Sequence, residues 1–336
     1  MTSSSLSRLT SFSLNPRVKM ALIVVIIAAF VLESFRILLE AYPVMTNGFQ
    51  APNNYGLDFG VYYNSAWRLV HNPGAIYTQT SVSGDYLNGA LATDFKYLPY
   101  FLFFILPFLV LNYTSALISW DVFQLLLMPV IGFLIYRSLR NYNVLVIVAV
   151  IWVALLQPIP FPPHYSLSFY DLYHSQSYYW QWAEGNAKVF LTFLIVGAWY
   201  LSKSKKPYLA GLAYGLAFFD PRFPLYAIPL FLIVNRGQYR KFALAVLATL
   251  AVGDAILLYD GLASSFLGTI QSIGVETPFF QYTWIPFYTI VALTVVEGSN
   301  YVYRTWLSRS RSEGQGPMST DVSGIQTESE DSVSGH

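Results

Sequence analysis

The 336-residue sequence contains no cysteine and few charged residues. The absence of cysteine excludes disulfide bridges, thiolate metal sites and cysteine nucleophiles. Only 11% of the residues are charged, against roughly 25% in a soluble domain. The formal net charge is +1, so the chain has no strong overall field that would attract nucleic acid, and no nucleic-acid partner is expected.

Apolar residues dominate instead: 55% of the chain is hydrophobic and the mean hydropathy is +0.46. Runs of about 20 apolar residues cross a hydrocarbon layer that is roughly 30 Å thick. The sequence therefore predicts an all-α integral membrane protein with about eight transmembrane helices. The predicted spans lie near residues 19–42, 114–136, 143–157, 187–202, 207–219, 223–235, 241–259 and 283–303.

Basic residues cluster between these runs and beside the first and last of them. When every cluster is placed in the cytoplasm, the positive-inside rule gives each span a consistent direction and puts both termini inside. Residues 97–111, which are apolar but interrupted by Pro99 and Pro107, then fit a re-entrant or interfacial helix. The clusters between spans contain Arg137 and Arg140, then Lys203, Lys205 and Lys206, then Arg236, Arg240 and Lys241.

This topology predicts a single membrane domain at residues 19–306 with disordered cytoplasmic tails at 1–18 and 307–336. Two long outer loops are predicted at 43–96 and 158–186, and a smaller one at 260–282. We expect a multi-pass protein of a prokaryotic plasma membrane, with its chemistry on the outer side.

The first outer loop carries an ordered set of short motifs. They are Asp58-Phe59, Pro73-Gly74-Ala75-Ile76-Tyr77 and Tyr97-Leu98-Pro99. Asp58 stands at the head of an amphipathic helix, where a carboxylate could meet the head group of a lipid-borne substrate. It could equally cap the helix by accepting backbone N–H groups, and taken alone this structural role is the commoner one.

The order of these motifs resembles the first outer loop of the GT-C superfamily of polyprenyl-phosphate-sugar-dependent glycosyltransferases. The greatest resemblance is to glycosyltransferase family 87, a mannosyltransferase-like group. Two later segments also resemble elements of that family. They are Glu184-Gly185-Asn186-Ala187-Lys188 and Asp220-Pro221-Arg222-Phe223-Pro224.

The resemblance implies a GT-C-like polytopic helical bundle with a long helical first outer loop. It implies inverting transfer of a hexose, with mannose favoured, from a polyprenyl-phosphate donor to a glycan, lipid or protein acceptor, among membrane lipids. Asp58 would be the general base, and Arg222 and Lys96 would bind the donor phosphate. No cofactor or metal is required, although a divalent cation is compatible. The residues expected to bind substrate are Tyr62, Tyr77, Tyr97, His164, Asp171, His174, Glu184 and Asn186.

Two other functions remain open at this stage. Arg222 stands where relatives usually have lysine, and a glutamine of the 184–188 element is missing. These departures are compatible with a non-catalytic scaffold or lipid-binding subunit of the same architecture. A secondary transporter is the third hypothesis, because helices broken near the membrane surface also occur in transporters.

Overall fold

The computed structural model describes residues 15–47, 57–77, 95–156, 182, 185–259, 261–276 and 285–314. These residues form eleven α-helices and short 3₁₀ turns, and no strand occurs among them. The helices are α1 (Pro16–Asn47), α2 (Leu57–His71), α3 (Leu102–Ile105), α4 (Tyr113–Leu139), α5 (Val144–Leu156), α6 (Lys188–Lys203), α7 (Pro207–Ala217), α8 (Arg222–Val234), α9 (Tyr239–Gly253), α10 (Leu262–Glu276) and α11 (Ile285–Gly314).

Each of the eight predicted spans coincides with a helix, namely α1, α4 to α9 and α11. Among the described residues, three segments are long and apolar enough to cross a membrane by themselves: Pro16–Arg36, Tyr113–Leu139 and Tyr239–Leu258. Shorter apolar helices occupy Val144–Leu155 and Arg222–Val234. The all-helical class is confirmed and a polytopic membrane protein is supported, whereas the number of eight crossings stays a prediction.

Several helix ends differ from the predicted boundaries. Helix α1 begins inside the predicted 1–18 tail and ends inside the predicted 43–96 loop, and α11 continues to Gly314, beyond the predicted start of the C-terminal tail at 307. Helix α10 lies within the predicted outer loop at 260–282. Leu262 and Phe266 are buried on one side of α10, so an amphipathic helix forms where the apolar content was too low to predict a span.

Helix α6 lies at the centre of the bundle. It packs against α4, α7, α8 and α11, and eleven of its sixteen residues are buried. Helix α9 lies at the periphery, where Phe242 is its one buried residue, and it packs closely along α7. A Cβ atom at Gly211 of α7 would clash with the carbonyl oxygen of Phe242. Glycine therefore permits the close approach of these two helices.

The basic residues gather at one end of the bundle. Lys19 Nζ donates hydrogen bonds to the carbonyl oxygens of Arg140 and Tyr142, each at 2.7 Å. Lys203 Nζ lies 5.6 Å from the centre of the Tyr142 ring and 2.6 Å from Glu297 Oε1. Arg240 and Lys241 line one cleft with Lys205 and Lys206, so basic clusters from four parts of the sequence share one face, here called the basic face. Helix α6 rises about 1.5 Å per residue, so Lys188 lies roughly 22 Å away, at the opposite end.

Candidate active site

Helix α2 places Asp58 at the end of the bundle opposite the basic face. The acidic side chain is in the first turn of α2, and Arg68 and His71 are in its last turn, so all three complement the helix dipole. Phe59, which follows Asp58, is fully buried. Asp58 itself is only partly buried. Packing of α2 therefore fixes the backbone of Asp58, while the residue as a whole keeps some exposure.

A tight turn before α6 brings Asn186 to this carboxylate. Gly185 has a φ of +66°, and its carbonyl oxygen accepts a hydrogen bond of 2.9 Å from Trp120 Nε1. A Cβ atom at Gly185 would lie 2.7 Å from Cβ of Phe59, so only glycine allows the turn to pack here. Asn186 Nδ2 then donates a hydrogen bond to Oδ2 of Asp58.

Three charged side chains form a buried ion cluster beside this pair. Asp220, between α7 and α8, accepts from Lys188 Nζ at 2.9 Å. The same carboxylate accepts from Arg222 Nε at 2.8 Å and from Arg222 Nη2 at 2.9 Å. The side chains of Lys188 and Asp220 are 3% and 1% exposed, whereas that of Arg222 is 23% exposed. Asp220 thus holds two cations, and Arg222 presents the more accessible one.

The two carboxylates have opposite pKa shifts. Burial raises the pKa of Asp58 above its ordinary value, and the positive charges of Lys188, Arg222 and Lys96 offset this only in part. Burial also acts to raise the pKa of Asp220, but Arg222 and Lys188 outweigh it and hold that pKa below the usual range. Asp58 is therefore suited to accept a proton, and Asp220 remains a fixed negative charge.

Tyr97 connects the helix that carries Asp58 with the turn that carries Asp220. The Tyr62 hydroxyl donates to the Tyr97 hydroxyl at 3.2 Å, and the Tyr77 hydroxyl donates to the Tyr97 carbonyl oxygen at 3.0 Å. The next residue, Leu98, donates its N–H to the carbonyl oxygen of Phe219 at 2.9 Å. Residues 97 and 98 thus join α2 to the turn before α8, and they hold Asp58 and Asp220 in a fixed relation to each other. Lys188 Nζ lies 5.9 Å from the centre of the Tyr97 ring.

The structure brings most of the described candidate residues together. Asp58 and Asn186 are in contact, and Arg222 belongs to the ion cluster. Lys96 is near enough for its positive charge to offset part of the rise in the pKa of Asp58. Tyr62 and Tyr77 each donate a hydrogen bond to Tyr97. The roles assigned to all of these residues stay predictions. Four candidates lie outside the described residues: His164, Asp171, His174 and Glu184.

Sequence reasoning did not select Lys188 or Asp220 as site residues. A signal for both was present, because each stands at the border of an apolar run where a buried charge needs a partner. Within the described part of the chain, no group of three or more His, Asp or Glu side chains is arranged to hold a metal ion. The expectation that no metal is required stays a prediction.

A comparison with protein families finds one match. The model of glycosyltransferase family 87 matches residues 95–287, which is more than half of the chain. The matched range includes Asn186, Lys188, Asp220 and Arg222, whereas Asp58 precedes it. No curated protein and no solved structure matches the chain. The family match confirms the resemblance that the motifs indicated.

Proposed function

The chain belongs to glycosyltransferase family 87 and is thus a membrane glycosyltransferase, and we propose that it transfers a hexose from a polyprenyl-phosphate carrier to an extracytoplasmic acceptor. Mannose is the favoured sugar, and the acceptor is a glycan, a lipid or a protein. The observation that carries this proposal is the placement of Asp58, held by Asn186, at the same end of the bundle as the Lys188–Asp220–Arg222 ion cluster.

Asp58 acts as the general base. Its carboxylate removes the proton of the acceptor hydroxyl while the hydroxyl oxygen bonds to the anomeric carbon of the donor. The bond between that carbon and the phosphate oxygen breaks, and its electron pair leaves with the polyprenyl phosphate. A single displacement inverts the anomeric configuration, so a β-linked mannosyl donor yields an α-mannoside. The raised pKa of Asp58 supports this role because it brings the base nearer to the operating pH.

Arg222 and Lys188 stabilise the departing phosphate. The bidentate contact with Asp220 uses Nε and Nη2 of Arg222, and the guanidinium has further N–H groups with which to bind phosphate oxygens. Asp220 is accordingly a positioning residue, since it orients Arg222 without touching substrate. Lys96, in the 95–97 segment, adds a third positive charge that acts on Asp58.

The orientation in the membrane follows from the basic face. The positive-inside rule places that face in the cytoplasm, and the candidate site lies at the other end of α6. The site would then face outward from a prokaryotic plasma membrane, where a lipid-linked sugar presents its phosphate near the membrane surface. This orientation favours a lipid-borne donor over a soluble cytoplasmic nucleotide sugar.

Transfer of radiolabelled mannose from synthetic polyprenyl phosphate mannose tests the proposal. Membranes contain the wild-type chain, Asp58→Asn or the control Glu297→Gln, which removes a carboxylate on the basic face, at the other end of α6. We expect transfer with wild type and the control and a loss of about 100-fold or more with Asp58→Asn. Turnover retained by Asp58→Asn contradicts the assigned base. Tight binding of polyprenyl phosphate without transfer by any folded variant indicates the non-catalytic role.

A further inference from the structure

A cleft of about 890 Å³ opens on the basic face, far from the candidate active site. The connection between α6 and α7 contributes Lys205 and Lys206, and the start of α9 contributes Arg240 and Lys241. All four side chains are exposed, and the described lining includes no acidic residue. Four cations that share one cleft without a lining carboxylate repel one another, so the cleft favours an anion.

Two helices begin at this cleft. Helix α7 starts at Pro207 and α9 starts at Tyr239, and neither is capped by a hydrogen bond from its N-cap side chain, Lys206 or Gln238. Because α7 and α9 pack side by side and both start at the cleft, their positive dipole ends point into it together. Their first-turn N–H groups can donate to an anion, and phosphate suits such a position.

An apolar groove of about 650 Å³ continues from the cleft along the same two helices. Tyr208 lines both spaces, so they adjoin. Leu212 and Leu216, on successive turns of α7, line the groove with Leu244 and Val252 of α9. Tyr100, Phe103 and Phe104 also line it. The groove runs for roughly 12 Å from Tyr208 to Leu216, at 1.5 Å per residue. A phosphate-binding cleft joined to a long apolar groove matches the shape and chemistry of a phospholipid.

We propose that an anionic phospholipid from the leaflet on the basic side binds here, with its phosphate in the cleft and one acyl chain in the groove along α7 and α9. Basic pockets between transmembrane helices on the cytoplasmic side recognise anionic head groups in this way. The groove distinguishes this ligand from a soluble phosphate, which would use the cleft alone. The cleft is separate from the proposed active site, because its basic residues lie at the opposite end of the bundle.

Binding of phosphatidylglycerol to the full-length protein in detergent, followed by native mass spectrometry, tests the charge requirement. Lys206→Gln/Lys241→Gln removes two positive charges from the cleft. Arg137→Gln/Arg140→Gln is the matched control, because it removes two exposed charges from the same face outside the cleft. At about fivefold per charge, the cleft variant should bind roughly 25-fold more weakly than wild type. The control should bind like wild type, and equal weakening in both variants would overturn the proposal.

Two further variants separate the lipid from soluble phosphate and from a folding defect. Ala248→Trp fills the groove, so it should weaken phosphatidylglycerol binding while leaving competition by glycerol phosphate unchanged. Lys205 has a φ of 59°, a backbone conformation that glycine adopts more easily. Lys205→Gly should therefore fold at least as stably as wild type and still bind about fivefold more weakly. Glycerol phosphate that binds as tightly as the lipid, or full binding by Lys205→Gly and the double cleft variant, refutes the lipid site.

Discussion

Replacement of Asp220 by asparagine tests the buried ion cluster most directly. The substitution keeps the side-chain shape but removes the negative charge that holds Lys188 and Arg222. Lys188, at 3% exposed, then loses its ion pair with Asp220, whereas Arg222, at 23% exposed, can still reach water. The loss should therefore fall mainly on Lys188, because a buried charge that loses a close ion pair keeps most of its desolvation cost.

The expected magnitude follows from that asymmetry. Removal of one partner from a buried ion pair destabilises a protein by about 3–5 kcal/mol. For a chain of this size the apparent Tm should fall on the order of 10 °C. Lys188→Met alone should be milder, because Asp220 keeps its bidentate contact with Arg222. In Lys188→Met/Asp220→Asn the buried ammonium is gone, so about 2 kcal/mol of the loss should be recovered.

Thermal unfolding of the purified variants and mannose transfer by the same samples provide the measurements. The double variant should regain stability over Asp220→Asn without regaining transfer, because the guanidinium of Arg222 is no longer oriented. This separation distinguishes a positioning role from a purely structural one, for which activity would return with stability. A wild-type Tm for Asp220→Asn refutes the buried cluster. A double variant no more stable than Asp220→Asn shows that the loss of stability does not fall on Lys188.

Two other changes probe the neighbourhood of Asp58. Asn186→Ala removes a hydrogen bond that favours the charged carboxylate, so the pKa of Asp58 should rise further. Because the base works deprotonated, the acidic limb of the pH profile of kcat/KM should move upward by about one to two pH units. An acidic limb that does not move contradicts the assignment of Asp58 as the base. Gly185→Ala should destabilise the protein and lower kcat, because the new Cβ would meet Phe59 and the backbone φ is +66°. Gly197→Ala is the matched control: no atom lies within 4 Å of its new Cβ, so it should stabilise α6 by about 0.5–1 kcal/mol. Equal Tm values for these two variants would argue against the tight turn at Gly185.

Hydropathy predicted the positions of the long helices because a membrane permits few other structures for apolar chain segments. It could not predict α10, since burial of Leu262 and Phe266 depends on the neighbours of that helix. Likewise, the sequence at the start of α2 could not decide whether Asp58 caps the helix or acts as a general base. Its contact with Asn186 joins residues 128 positions apart, and local pattern carries no information about such a pairing.

Asn186 and Arg222 were predicted from motifs that resemble a known family. Their neighbours Lys188 and Asp220 were identified as site residues only from the fold. The sequence shows Lys188 at the start of one apolar run and Asp220 after the end of another, 32 positions away. Their pairing depends on how α6 packs against the turn between α7 and α8. A search for buried charges that need neutralisation would have selected both residues, but it could not have chosen the partner of each.

The charges of the candidate site fit the charge change of the proposed reaction. The donor enters as a phosphodiester with one negative charge and leaves as a monoester that develops a second. At the same step Asp58 takes up the acceptor proton and loses its own negative charge. Lys188, Arg222 and Lys96 thus face the same total negative charge before and after transfer, provided that Asp220 stays ionised. The reaction therefore needs one carboxylate that takes up a proton and one that stays ionised. The raised pKa of Asp58 suits the first role, and the lowered pKa of Asp220 suits the second.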